Sequence, residues 1–276
     1  MSYEPTDQPK TISIIGGRGK MGSLFARSFR EQGYRVLVSD ENNSNNIPLA
    51  QQGEVVIVSV PIERTVEVVK EIGPQVRTDS LLTDFTSVKA KPVAAMLTYS
   101  RAEVIGGHPL FGPSIEKFHN QNMILCPARG KDSLSWYSTA LEKLGLKVTF
   151  MDPKEHDQTM AMVQCLTHFS NIVFASAISA MDYQYDQQDA TTPAYLLRLY
   201  AAARMLTQDP SLYAGILIEN PFAREAINAY SNAVKEISTL VHESKKEGLE
   251  SLLNALQERF RDHPVLEKKK AEIIDE

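Results

Sequence analysis

Residues 11–40, TISIIGGRGKMGSLFARSFREQGYRVLVSD, decide how the rest of the chain is read. The stretch opens with an apolar, largely β-branched run, Ile12 to Ile15, which suits a buried strand. It continues as Gly17-Arg18-Gly19-Lys20-Met21-Gly22, a match to G-x-G-x-x-G. A helical pattern follows, with Met21, Leu24, Phe25 and Phe29 on one face, until Gly33 stops it. Tyr34 to Ser39 then reads as a second strand ending at Asp40. In such a unit Gly17 allows the tight turn, Gly19 lets the backbone approach a pyrophosphate, and Gly22 lets helix pack close on strand. The helix N-terminus, with Arg18, Lys20 and Met21 around it, faces the phosphates. Asp40 stands 18 residues after Gly22, where an acid grips a ribose 2′-hydroxyl and repels a 2′-phosphate. The expected cofactor is therefore NAD rather than NADP. The competing reading is a glycine-rich turn that binds nothing.

The 276 residues are comfortable for two domains, and 43% hydrophobic with 23% charged residues describes an ordinary globular chain. A net charge of −5 argues against a general nucleic-acid binder and offers nothing to an anionic membrane. Cys126 and Cys165 make neither a disulfide framework nor a metal cluster and read as small hydrophobes in a reduced compartment. His119, His156, His242 and His263 show no metal spacing, so no metal is expected. No apolar run approaches the roughly 20 residues of a membrane span, and the N-terminus lacks a signal peptide's apolar core. Cytoplasm is the expected compartment.

Residues 1–10 read as a tail or linker remnant, and the asparagine-rich loop after Asp40 is too polar to pack. Strands are expected at 55–60 (closed by Pro61), 80–83, 103–105, 123–126 and 147–150, with helices at 62–72, 88–97 and 133–144. Strands alternating with helices imply an α/β domain over 11–152, a doubly wound and mainly parallel sheet of the Rossmann type. Near Met151 the texture changes. From Asp152-Pro153 onward the pattern is all-helical, about 154–182, 193–208, 211–219, 221–245 and 248–261. The second domain, 153–276, is therefore expected to be helical. Its apolar stripe Met162, Leu166, Phe169 and Val173 suits packing against a second subunit, or alternatively a self-contained core. The charged end KKKAEIIDE reads as a frayed helix or tail.

In doubly wound sheets ligands bind beyond the carboxyl ends of the strands. Two polar strand ends stand out, Thr86-Ser87-Val88-Lys89 and Gly107-His108-Pro109. A neutral His108 can take a proton from a hydroxyl while hydride leaves the same carbon; the competing reading is a surface-loop histidine. Ser87 either contacts that hydroxyl or caps a helix. Lys89 steers a carboxylate or is simply exposed. Gln164, His168 and Asn171 fall at i, i+4 and i+7, a polar stripe on an apolar helix that needs partners. Arg204, on the helix that also holds Arg198, suits a carboxylate bidentately or snorkels to the surface. Trp136 reads as packing.

Six motifs, IIGGRGKMG, VIVSVPI, DFTSVKAKP, VIGGHPLFGP, EHDQTMAMVQCLTHF and RLYAAARMLTQDPSLYAGI, resemble prephenate dehydrogenase. The likeness is strongest to the dehydrogenase half of bifunctional chorismate mutase–prephenate dehydrogenases, and spans about residues 10–260. The resemblance implies that His108 is the catalytic histidine and that Ser87 contacts the substrate hydroxyl and nicotinamide. It implies that His168 lines the substrate pocket and Arg204 binds a prephenate carboxylate. Lys89, Arg198 and Gln164 take lesser substrate-side roles, and His156 lies near the pocket. Ser59 and Pro61 join the cofactor-binding set. The implied reaction is oxidative decarboxylation of prephenate to 4-hydroxyphenylpyruvate in tyrosine biosynthesis, by a homodimer for which tyrosine is a candidate feedback inhibitor. The alternatives are an arogenate dehydrogenase and a non-catalytic NAD-binding regulatory protein.

Overall fold

The computed structural model describes residues 10–39, 45–181 and 191–262. Asp40, His263, most of the N-terminal tail and the KKKAEIIDE end lie outside them. The chain forms two compact units, one through Ala223 and one from Arg224 onward.

The first unit is built on a seven-stranded sheet in the order β2-β1-β3-β4-β5-β6-β7. The strands are β1 (Thr11–Ile15), β2 (Arg35–Val38), β3 (Val55–Val58), β4 (Leu81–Asp84), β5 (Glu103–Pro109), β6 (Asn122–Arg129) and β7 (Lys147–Phe150). All neighbouring pairs are parallel except β5 with β6. Val55, Val56, Ile57 and Val58 are all buried, the signature of a strand covered on both faces. Helices α1 (Lys20–Glu31), α2 (Asn46–Gln52), α3 (Ile62–Ile72), α4 (Ala90–Tyr99) and α5 (Asp132–Lys143) do the covering. On one face Phe25 and Phe29 of α1 pack with Tyr137 of α5 over Ile12, Ile14 and Met123. On the other, Val69, Ile72 and Met96 close over Val56, Val58 and Val104.

Because β1 lies between β2 and β3, its carboxyl end is the point where the winding reverses, and the glycine-rich turn sits there. Gly16, not Gly17, takes the left-handed backbone, at φ +79°. Gly17 is required for space instead, since a Cβ there would stand 2.7 Å from Val38. A Cβ on Gly22 would stand 2.6 Å from the Gly16 carbonyl oxygen, so a side chain would pry α1 off the sheet.

Most of the asparagine-rich loop after Asp40 lies outside the described residues, and it is followed by α2, which the sequence reading did not assign; its single buried residue, Ala50, is too little to leave a periodic pattern. One expectation changes. Strand five does not stop at Ile105. It continues through Pro109, with Gly106 opposite Cys126 and His108 opposite Ile124. Glycine and proline read as breakers, but antiparallel pairing with β6 overrides them, and His108 is buried rather than in a surface loop.

The same unit carries α6 (Pro153–Met160), a π-helical turn (Ala161–Leu166), α7 (Thr167–Ala180), α8 (Pro193–Leu206) and α9 (Pro210–Glu219). Asp152 caps α6, accepting from Lys154 N at 2.8 Å, and Asp209 caps α9 through Ser211 N at 2.9 Å. The texture break near Met151 is therefore a real change of architecture, yet these helices stay compact with the sheet. The run Pro153–Ala180 is long and apolar enough by composition to cross a membrane, contrary to the sequence expectation. It also carries His156, Asp157, Gln164 and His168, which the site below uses. The second unit consists of α10 (Ala223–His242), most of which lies in it, and α11 (Lys246–Phe260).

Replacing Gly22 by Ala should lower stability by about 1–3 kcal/mol, the range for forcing a methyl group into filled space. Urea unfolding of Gly22→Ala beside the parent protein measures it, and an unchanged midpoint would refute the close-packing role.

Candidate active site

The site begins where β4 and β5 end side by side. Asp84 closes β4 and is fully buried, as is Lys89, and their side chains form an ion pair. The Lys89 ammonium also donates to the Gly107 carbonyl at 2.6 Å and to Thr86 Oγ1 at 3.2 Å. Asp84 Oδ1 accepts from Gly107 N at 3.2 Å. The backbone immediately before His108 is thus held at both its N–H and its C=O. Gly107 must be glycine, for a Cβ would stand 2.6 Å from the Asp84 carbonyl oxygen.

His108 is 1% exposed and its ring makes a contact at each nitrogen. Nδ1 lies 2.8 Å from His156 Nε2, and Nε2 lies 3.3 Å from Gln164 Nε2. His156 Nδ1 lies 2.8 Å from Asp157 Oδ1. The Asp157 carboxylate also accepts from Lys89 N at 2.7 Å and Ala90 N at 2.9 Å, the first amides of α4. His156 and Asp157 are both 0% exposed. Burial drives His108 well below the ordinary imidazole value of 6.5, with His156 and Lys89 adding to the effect. Burial lowers His156 as well, against the pull of Asp157.

His108 opens onto a cavity of about 380 Å³. Ser87, Pro109, Leu110 and Phe111 line the sheet side; Gln164, Thr167, His168 and Asn171 line the helix side; Arg204, Gln208 and Tyr213 complete it. Among the described lining residues Arg204 is the only one that is always charged, and none is Asp or Glu. His168 stands edge-on to Tyr213 with centroids 4.8 Å apart, and burial lowers its proton affinity. Gln164 Oε1 and Asn171 Oδ1 are buried with no protein partner. Polar atoms left in that state are completed by ligand or water.

Two family models match the chain. One, described as the nucleotide-binding domain of prephenate dehydrogenase, covers residues 26–150, and one described as its dimerization domain covers residues 152–258. The T-protein of Enterobacter agglomerans is 30% identical, over 92% of this chain and 68% of its own length. The chain belongs to the prephenate dehydrogenase family. A probable arogenate/prephenate dehydrogenase of Methanocaldococcus jannaschii is 34% identical over 91% of this chain, which spans 61% of that relative. In fold, the chain resembles the prephenate dehydrogenase of Aquifex aeolicus, solved with hydroxyphenyl propionate and NAD+, with a TM-score of 0.72. The likeness covers 93% of this chain and 99% of that one at 22% identity.

The family is one of oxidoreductases, and its first model is a nucleotide-binding domain. Of the residues singled out in sequence, Ser87, His108, Gln164, His168 and Arg204 meet in one cavity. Lys89 does not line it. It is neither exposed nor free to steer a carboxylate, because Asp84 and Gly107 use its charge and donors. Arg198 also falls outside the lining, its guanidinium 5.5 Å from the centre of the Phe174 ring. Gly17, Arg18, Gly19, Lys20, Met21 and Gly22 form the turn into α1, whose N-terminus has no side-chain cap. Ser59 follows β3 beside that turn, its carbonyl where a Cβ on Gly16 would collide, and Pro61 precedes α3. The open first amides of α1 and its tight glycine packing fit a pyrophosphate. Asp84 and Asp157 were missed in sequence. Asp84 at a strand's carboxyl end and Asp157 adjoining His156 were the available signals.

Both buried imidazoles have lowered pKa values, so the unfolded chain takes up protons below about pH 6.5 that the folded protein refuses. Stability should fall as pH drops from about 7 toward 5, and the slope should be shallower in His108→Asn. Urea midpoints across that range check it. Separately, Lys89→Met leaves Asp84 buried without its partner and should cost about 3–5 kcal/mol in the same assay.

Proposed function

We propose that the chain is an NAD-dependent prephenate dehydrogenase, converting prephenate to 4-hydroxyphenylpyruvate and CO2. The observation that carries this reading is one buried histidine facing a cavity whose sole permanently charged group, among the described lining residues, is Arg204. Prephenate brings a ring carboxylate, a pyruvyl carboxylate and a C4 hydroxyl. Arg204 matches a carboxylate in a bidentate fork. Arogenate differs by an ammonium on its side chain, and no acidic residue among the described lining residues would receive it. That favours the keto acid over the amino acid. The alternative of a non-catalytic NAD-binding protein gives no reason for His108, Ser87 and Arg204 to converge.

In the proposed reaction bound NAD+ supplies the hydride acceptor. His108 Nε2, the ring nitrogen turned to the cavity, takes the C4 hydroxyl proton as that carbon gives up hydride. Ser87 hydrogen-bonds the same oxygen. Arg204 holds the substrate in register, where small misplacement is costly. Loss of the ring carboxylate as CO2 leaves its bonding pair in the ring, which becomes aromatic. The ring oxygen recovers the proton from His108 as phenol, so the net reaction neither releases nor consumes one. For NAD over NADP the support is the acid at Asp40, and for a homodimer it is the family's dimerization domain.

Steady-state rates with prephenate and arogenate, each with NAD+ and NADP+, test the assignment; no NADH formation from prephenate would sink it. His108→Asn should lower kcat by about 10²–10⁴ with little change in KM, the range for a lost acid–base group. Arg204→Ala should raise the KM for prephenate far more than that for NAD+, and equal losses would count against its carboxylate role.

A further inference from the structure

The proposed reaction needs His108 to present a lone pair to the cavity, and a neutral imidazole has two tautomers. Nothing in the cavity decides between them. Gln164 can offer its amide N–H to Nε2 or, turned over, its carbonyl. The decision comes from the far side of the ring. Three donors can point at the Asp157 carboxylate, and two are backbone amides with fixed protons, Lys89 N and Ala90 N. The third position is His156 Nδ1, 2.8 Å from Oδ1. A lone pair there would face a carboxylate, so the proton sits on Nδ1 and His156 Nε2 is left as an acceptor. That acceptor is 2.8 Å from His108 Nδ1, which must therefore carry its proton on that side. His108 Nε2 is then unprotonated and faces the cavity, and Gln164 donates to it at 3.3 Å.

We propose that His156 and Asp157 are positioning residues that lock His108 into its base-competent tautomer and share the positive charge it carries while it holds the substrate proton. This rests on the reading of His108 as the base and adds how it is armed. When His108 Nε2 gains the hydroxyl proton, the proton on Nδ1 can move toward His156 Nε2, bringing charge next to Asp157. When the phenol oxygen reclaims its proton, both shifts reverse, so no bond is left altered and no electron is transferred in the relay. The chain ends on the backbone amides of α4, and neither His156 nor Asp157 reaches water. It is thus a closed relay with no exit, which suits a reaction whose proton is borrowed and returned. The charged groups around it are Asp157 on α6, Lys89 before α4 and Asp84 on β4, with the Cys126 thiol of β6 pushed up to about 12 and so neutral.

The test has two arms on the full chain. ¹⁵N NMR of the imidazoles, without substrate or cofactor, should show His108 protonated at Nδ1 and bare at Nε2. The opposite tautomer overturns the proposal whether or not prephenate is turned over, so this arm fails independently of the assigned activity. In the second arm His156→Phe keeps a ring but removes the acceptor, and should lower kcat about 100-fold or more, as a mis-set histidine tautomer does in other enzymes, with KM within about 3-fold. His156→Gln places a carbonyl oxygen near the lost Nε2 and should recover about 10-fold of that loss, the worth of a restored hydrogen bond. A folded His156→Phe with kcat within about 3-fold of the parent protein would overturn it. Should that variant fail to fold, the tautomer of the unsubstituted protein decides alone.

Discussion

An ammonium and a carboxylate, neither reached by water, hold the strand that presents His108. Lys89 and Asp84 would be a poor way to gain stability, because removing two charges from water costs about as much as their attraction returns. Their value is geometric. Between them they bind the Gly107 peptide at its carbonyl and its N–H, fixing the backbone that aims the next side chain. Thr86 N adds a further donor to Asp84 at 3.1 Å, so the carboxylate is surrounded by partners. A histidine meant to act as a base cannot swing, and this clamp removes the swing before any ligand arrives.

The two sides of the cavity are built differently. The sheet side is rigid, with β5 paired to β4 and β6 and its glycine forced by close backbone contact. The helix side passes through a π-helical turn at Ala161–Leu166, an irregularity often found at functional sites. Gln164 lies in that turn and reaches His108 from across the cavity. Its carbonyl oxygen and that of Asn171 lack partners, so this wall is the one that a polar ligand would complete. Asp157 ties the two sides together, since its carboxylate serves α4 while its own backbone carbonyl accepts from Asn220 Nδ2 at 2.9 Å.

Much apolar surface is left uncovered within each unit. In the first, Met162, Val163, Leu197, Tyr200, Leu206 and Ile218 are exposed; in the second, Val234, Val241, Leu253 and Phe260 are. Large exposed apolar residues in this number mark interaction surfaces. A dimerization-domain model covers residues 152–258, the region that carries all of these residues except Phe260. Of the stripe Met162, Leu166, Phe169 and Val173, Met162 is 67% exposed and the other three are half-buried.

Sequence alone determined the elements that local rules govern. Apolar strand runs, Asp152-Pro153 as a helix start, and glycines spaced for a turn into α1 are all written within a few residues of where they act. The polar stripe Gln164–His168 and the basic Arg204 were legible too, because polar groups on an apolar helix need a reason. Tertiary structure decided what no local rule carries. Lys89 reads as a surface lysine until Asp84 and Gly107, brought near by neighbouring strands, enclose it. His108 reads as a loop residue until β6 pairs across from it. Asp157 reads as one more acid on a polar helix start until α4 sets two amides on it. Each of these is a contact between segments distant in the chain, and burial, which turns them from ordinary polar residues into fixed ones, is a property of the packed whole.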